Sequence, residues 1–536
     1  MPLSHLFGTI SKMPDRTRWP KLVHPLLFAL LPIVSLLSYN INDAPPVHAL
    51  RPAILAILGA ALLWMLLKRL TRDGQTASLI TSITLTLFFS YGHVYLGLLG
   101  ESTSGIFRGL GLVGRPLYLA ATWLFLLALA IFAILRARRL RRVMTQAFLL
   151  MASVALAFPL GQIVLHEIQL SRPWNAEPLA IAPEGSPSSQ TPPDIYLFIL
   201  DGYGRADILQ EIFGFDNSPF LARLEALGFQ VADQARSNYT QTGLSLASML
   251  NMTYLDALSP PIPPDSFDRT PLARLVRWSE LRSFLEGQGY TIVAMPSGYR
   301  LTELDNADVF QREPLGAATT LERLAFETSA LVTLQDLARS TGRPALLPGY
   351  RAHRDRINFV AAQLKRVPSI PGPKFVFAHL LIPHPPFVFD ARGDPVAQRY
   401  PFTLMDGDAF PGTQEEYVRG YRDQVIYVNQ LMEELVSTIL QASARPPVIV
   451  IHGDHGPGSR LDWQSAAGTD LRERSAILSA YYLPGAPEGT VYESVTPVNS
   501  FRLVLNLYFD ANLGLLPDRS LYSTWQQPYS FISIDG

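Results

Sequence analysis

Five apolar stretches, each close to the ~20 residues a helix needs to cross a ~30 Å hydrocarbon layer, fill the first third of this 536-residue chain. They run from Leu22 to Tyr39, Pro52 to Leu67, Ala77 to Leu98, Leu117 to Leu135 and Met144 to Leu165. Their length predicts membrane helices rather than buried helices of a water-soluble core. Pro52 sits at a helix start, where its missing N–H costs little, whereas Pro32 and Pro159 are expected to kink their helices. The composition agrees, with 48% hydrophobic and only 17% charged residues and a mean hydropathy of +0.16.

Orientation follows from the basic residues between the spans. Lys12, Arg16, Arg18 and Lys21, then Lys68, Arg69 and Arg72, then Arg136, Arg138, Arg139, Arg141 and Arg142 all fall on one side. The other side carries only Arg51, Arg108 and Arg115. The positive-inside rule therefore puts the N-terminus in the cytoplasm and everything past the fifth span outside.

Residues 166–193 hold six prolines, Pro173, Pro178, Pro183, Pro187, Pro192 and Pro193, and read as a semi-extended linker. Residues 194–536 have ordinary globular composition. A formal charge of -1 gives no global signal for nucleic acid. The absence of cysteine excludes disulfides, thiolate metal sites and a cysteine nucleophile.

Within 194–536, the runs Ile195–Leu200, Thr291–Ala294, Phe375–Phe377 and Val448–Ile451 are apolar on both faces, as parallel strands covered by helices on both sides must be. Helical spacing between them, as in 415–442, predicts an α/β domain with its site beyond the carboxyl ends of the strands. Asp201 follows the first run, His379 and His384 the third, and His452, Asp454 and His455 the fourth. Four of the five histidines beyond the linker thus sit at two strand ends. An Asp and a His on a glycine-flanked turn, joined by a carboxylate from another strand end, suit a divalent cation. His452 reads as a loop hydrogen-bonder rather than a ligand, and Asp207 as part of the first helix.

The stretch 237–251 supplies a nucleophile. Apolar residues keep helical spacing from Leu244 onward, which puts Thr242 at or beside an N-cap, near free backbone N–H groups that attract anions. A plain structural cap is the competing reading, and Thr240 and Ser245 are rival hydroxyls. Arg300, Arg460 and Arg472 are further candidates for gripping a phosphate.

Taken in order, these pieces resemble the alkaline phosphatase superfamily, in its sulfatase-like membrane branch of lipoteichoic acid synthases and phosphoethanolamine transferases. The resemblance covers nearly the whole chain: five spans, a linker and an extracytoplasmic sulfatase-like domain with a mostly parallel central sheet. It implies that Asp201, Thr242, Asp454 and His455 bind one divalent metal ion, Zn or Mn ahead of Mg or Ca, and that Thr242 is the catalytic nucleophile. It implies a substrate contact for His384, in His-Pro-Pro-Phe, whereas His379, near a strand end, reads either as a substrate or second-layer contact or as a satisfied structural residue. Asp201 departs from the glutamate usual in the two named groups and looks like the aspartate of sulfatases and phosphodiesterases. The formylglycine context Cys/Ser-x-Pro-x-Arg is missing around Thr242.

The resulting expectation has three regions: a transmembrane domain at 1–165 with five helices, a linker at 166–193 and a catalytic domain at 194–536. The chain would be a multi-pass protein of a bacterial-type cytoplasmic membrane, partnered by the lipid bilayer and a phospholipid or phospho-ester substrate. It would transfer a phospho-group through a phosphothreonine from a lipid-derived donor to a glycan or lipid of the envelope. The alternatives are an extracytoplasmic phosphodiesterase or sulfatase-like hydrolase, and a non-catalytic membrane protein that binds a phospho-ligand.

Overall fold

The computed structural model describes residues 23–99, 116–174, 192–258, 261–314, 318–334, 349–400 and 402–534. Lys12, Arg16, Arg18, Lys21, Leu22, Arg108, Arg115 and the linker prolines Pro178, Pro183 and Pro187 lie outside the described residues. The chain divides into two compact units, residues 1–165 with 319–347, and residues 166–318 with 348–536.

The first unit contains α1 (Val23–Tyr39), α2 (Leu50–Thr71), α3 (Gly74–Leu99), α4 (Pro116–Arg136) and most of α5 (Arg141–Leu170). Four helices among the described residues are long and apolar enough to cross a membrane, and α1 is a shorter apolar helix of 17 residues. The second span is longer than its sequence pattern suggests, because a 3-10 turn over Pro46–Ala49 leads directly into α2. Large side chains such as Leu62, Phe125 and Phe158 point outward, a surface that only lipid or another apolar partner can cover. Pro32 and Pro159 lie inside otherwise continuous helices.

Two boundaries differ from the sequence reading. α5 runs on to Leu170, so the first five residues of the expected linker are helical. Segment 319–334, expected in the catalytic domain, belongs to the first unit. Its helix Thr320–Glu327 opens with a capping box between Thr319 and Glu322. Leu321 is fully buried with Ile33, Leu37 and Ile163, Glu322 pairs with Arg51 at 2.8 Å, and the Ala330 N–H donates to the Phe88 carbonyl at 2.8 Å. Gly92 allows this approach, since a Cβ there would meet the Thr328 carbonyl carbon at 2.2 Å.

The second unit is built on a seven-stranded sheet: β1 (Ile195–Leu200), β2 (Gln230–Val231), β3 (Thr291–Ala294), β4 (Val309–Phe310), β5 (Lys374–Leu380), β6 (Val448–Gly453) and β7 (Ser479–Tyr482). Their order is β2-β7-β6-β1-β5-β3-β4. The pairs from β6 to β4 are parallel, and β7 runs antiparallel to both β6 and β2. Alternation along β1 splits the core. Ile195, Leu197 and Ile199 join a cluster with the helices Thr242–Asn251, Thr270–Arg277 and Pro497–Phe509. Tyr196, Phe198 and Leu200 join another with the helices Ala206–Phe213, Gly349–Leu364 and Gln414–Ala442. Every residue of β1, β5 and β6 is buried, which explains the apolar runs Ile195–Leu200, Phe375–Ala378 and Val448–Ile451 within them.

Candidate active site

Register brings the strand-end residues together. β1 lies between β5 and β6, with Leu200 opposite Leu380 on one side and Gly453 on the other. One step further along β1 and β6 are Asp201 and Asp454, held side by side. The Asp201 N–H donates to the Leu380 carbonyl at 3.0 Å, and the Gly202 N–H donates to Asp454 Oδ1 at 3.0 Å. Gly202 has φ +70°, which lets the chain turn away directly after Asp201. The Tyr421 hydroxyl clamps this turn, donating to the Gly202 carbonyl at 2.8 Å and accepting from the Gly204 N–H at 3.0 Å.

Asp201, Asp454 and His455 each offer one ligand atom, and these atoms lie within 4.8 Å of one another. His455 Nδ1 is 2.9 Å from the Gly456 carbonyl. A carbonyl only accepts, so Nδ1 carries the proton and Nε2 presents its lone pair. That lone pair faces Asp454 Oδ2 at 3.3 Å and Asp201 Oδ1 at 3.6 Å. Both oxygens are buried without a hydrogen-bond partner among the described residues. Two buried carboxylates converging with an imidazole lone pair would cost several kcal/mol per ion if nothing positive offset them. This donor set fits a divalent cation bound through oxygen and imidazole nitrogen.

Thr242 is the first residue of its helix, with Gln241 as N-cap. Its Oγ1 is 3.1 Å from His455 Nε2, and it is less deeply buried than Thr240 or Ser245. Ser245 is engaged elsewhere, donating to the Tyr239 carbonyl at 2.8 Å, and Thr240 is almost fully buried. Of the three hydroxyls, that of Thr242 is the one both near the His455 imidazole and on a half-buried residue.

His379 lies within β5 rather than after it. Its Nε2 is 3.3 Å from Asp201 Oδ2 and its Nδ1 2.8 Å from Thr302 Oγ1. His384 follows β5, with its ring centroid 6.3 Å from that of His455. Its Nε2 is 3.6 Å from Asp406 Oδ2. Burial disfavours a charged His384, but Asp201 and Asp406 outweigh burial and raise its pKa. Burial likewise works against ionised Asp201, yet His384, His379 and His455 hold its carboxyl well below the usual range. His455 is lowered, first by burial and then by Arg474.

Two buried residues at the site carry no sequence signal. Arg474 donates to Asp406 at 2.9 Å, to the carbonyls of Thr240 at 3.0 Å and Gly456 at 3.2 Å, and lies 3.2 Å from His455 Nε2. Asp406 also accepts from the Tyr417 hydroxyl at 2.7 Å. Arg474 lies in the short helix Leu471–Ser475 and Asp406 just before the 3-10 turn Gly407–Ala409, and the folded chain turns both inward.

The other candidates lie elsewhere. Arg300 pairs with Glu167, Arg460 with Asp470, and Arg472 with Asp207 and Glu211. Asp207 is on the helix Ala206–Phe213, and His452 is 3.0 Å from Ser500 Oγ.

A family model described as Sulfatase matches residues 193–501. Among solved structures, the chain is similar to the C-terminal periplasmic domain of EptC from Escherichia coli in complex with Zn. The two share 14% identity over 65% of this chain and 94% of that one, with a TM-score of 0.40. It is also similar to the integral membrane lipooligosaccharide phosphoethanolamine transferase A from Neisseria meningitidis, at 13% identity over 90% and 95% and a TM-score of 0.40. A third is the phosphonate monoester hydrolase of Agrobacterium radiobacter, at 14% over 62% and 80% with a TM-score of 0.39. No curated protein matches the sequence.

Proposed function

Since the chain belongs to the Sulfatase family, we propose that it is a membrane-anchored, metal-dependent phospho-group transferase with Thr242 as its nucleophile. The observation that carries this reading is the partly exposed Thr242 hydroxyl, at a helix start and 3.1 Å from the imidazole of a buried Asp-Asp-His cluster. Asp201, Asp454, His455 and Thr242 would hold one divalent ion, Zn or Mn ahead of Mg or Ca, which lowers the hydroxyl pKa and neutralises phosphoryl oxygen charge.

The chain's own residues account for the rest. The helix N-terminus offers backbone N–H groups and a positive dipole end to a phosphoryl group. His384, whose ring centroid lies 6.3 Å from that of His455, would contact the same group, and His379 steadies the Asp201 carboxylate. In the first step the Thr242 Oγ–P bond forms as the hydroxyl proton leaves. The bond from phosphorus to the donor alcohol breaks, and that oxygen is protonated. In the second step an acceptor alcohol bonds to phosphorus and loses its proton as the Thr242 Oγ–P bond breaks, and Oγ regains a proton.

The spans and the basic residues of their loops support an extracytoplasmic site beside the outer leaflet. A lipid-derived donor and a glycan or lipid acceptor suit that placement. Incubation of the full-length protein with a headgroup-labelled phospholipid and candidate acceptors tests the reading. Label should move to an acceptor with the wild type and stay on the lipid with Thr242→Ala. Release of label only to water would make the enzyme a phosphodiesterase, and transfer by Thr242→Ala would overturn the nucleophile.

A further inference from the structure

A groove of about 240 Å³ lies beside His384, wholly within the second unit. Pro385, Pro386 and Phe387 follow His384 directly, Met405 directly precedes Asp406, and all four line it. His384 Nε2 and Asp406 Oδ2 are 3.6 Å apart, so the groove adjoins the candidate active site. Binding pockets for drug-sized molecules begin at about 300 Å³, and this one suits a single ring-sized group.

Local packing builds it. Gln424 Oε1 accepts from the Val388 N–H at 2.8 Å, and the Gln424 amide donates to the Pro383 carbonyl at 3.1 Å, which ties 383–388 to the helix Gln414–Ala442. Gly420 lets Phe387 press against that helix, since a Cβ there would overlap the Phe387 ring. Segment 398–400 is pinned as well. The Gln398 amide donates to the Phe387 carbonyl at 2.8 Å, the Tyr350 hydroxyl to the Tyr400 carbonyl at 3.1 Å, and the Tyr400 hydroxyl to Glu416 Oε2 at 2.7 Å.

The lining joins two opposite characters. Phe387 and Phe410, with ring centroids 5.6 Å apart, give it aromatic surface. Arg399, Glu416, Arg419 and Asp423 add two positive and two negative charges. Residues 416, 419, 420 and 423 recur at helical spacing, so one face of the helix Gln414–Ala442 supplies them. Glu416 is engaged by Tyr400, by Arg399 and by its capping box. Among the described residues, Asp423 has only Arg422, at 4.0 Å, and Arg419 makes no hydrogen bond or ion pair. Balanced charge gives no net attraction for a bare ion. An acyl chain would strip water from charged groups and return no hydrogen bond. A sugar ring meets both characters, with a C–H face for the aromatic side chains and hydroxyls for the carboxylate and guanidinium.

We propose that this groove is the subsite for a sugar ring of the acceptor, free or lipid-linked, with Asp423 and Arg419 holding its hydroxyls. Sugar binding stands on the groove itself, and only the acceptor role rests on the function proposed above.

Saturation-transfer NMR on the full-length protein in phosphatidylglycerol nanodiscs, prepared without sugar detergents, tests it with methyl β-D-glucopyranoside as the probe. The wild type should transfer saturation to the ring protons of the glucoside and none to glycerol, which has hydroxyls and no ring face. Ala397→Trp, at an exposed position lining the groove, should abolish the transfer. Asp423→Ala should weaken binding about tenfold or more, as loss of a hydrogen bond to a charged group implies. Displacement of the probe by maltose in solution, or by glucosyl diacylglycerol in the nanodisc, separates a free from a lipid-linked acceptor. No saturation of the glucoside, equal saturation of glycerol, or undiminished saturation in both variants would overturn the subsite. Sugar binding that responds to both variants, with no label ever transferred to a sugar, would support the subsite and sink the acceptor role.

Discussion

One hydrogen bond sets the polarity of the site: because His455 Nδ1 donates to the Gly456 carbonyl, Nε2 faces Asp201 and Asp454 as an acceptor. Replacement of Asp454 by Asn removes one of the two charges that offset a cation. Elemental analysis should find one divalent ion per chain in the purified wild type and none in the variant. His384→Gln removes the imidazole proposed to contact the phosphoryl group, and transfer should fall by about 10²- to 10⁴-fold, the range for a positioned catalytic side chain. Glu473 yields a pH prediction. Burial pushes its pKa up to about 7, against the lowering effect of the Ser459 N–H that donates to it. The folded chain then holds a proton on Glu473 that the unfolded chain has lost above its ordinary carboxyl pKa. Stability therefore falls as pH rises from there to about 7 and is flat beyond, a change on the order of 3 kcal/mol. Thermal melts of the wild type and Glu473→Gln at pH 5 and pH 8 should show the wild type losing more stability than the variant.

At the scale of elements, the site is a consequence of which strands are neighbours. β1, β5 and β6 were legible because parallel strands buried on both faces leave continuous apolar runs, and Asp201, Asp454 and His455 because they interrupt those runs at the ends. The edge strands β2 and β4 have two residues each and leave no such run. Asp406 and Arg474 were not legible, since neither follows an apolar run and only the fold buries them as a pair. Segment 319–334 was misplaced for a related reason: an amphipathic helix shows from sequence that it needs a partner for its apolar face, and not which partner. The turn after β6 has little slack. A Cβ at Gly456 would lie 1.9 Å from the Glu473 carbonyl oxygen and 2.8 Å from that of Ala476. Gly456→Ala should cost about 1–3 kcal/mol, as overpacking does, and lower metal affinity by displacing His455. Denaturation melts and a metal titration check both.

For the whole molecule, topology joins the two units to one function. A single cysteine at exposed Glu488 should react with a membrane-impermeant maleimide in intact cells, whereas one at Arg139 should react only after permeabilisation. The reverse pattern would put the candidate site on the cytoplasmic face, away from the outer leaflet. The central claim concerns a bond on one oxygen. Acid-quenched protein, taken during turnover of membrane phospholipid and mapped by peptide mass spectrometry, should carry a phospho-adduct on Thr242 that is absent from Thr242→Ala. Turnover with no adduct on Thr242, or an adduct on a different side chain, would contradict it.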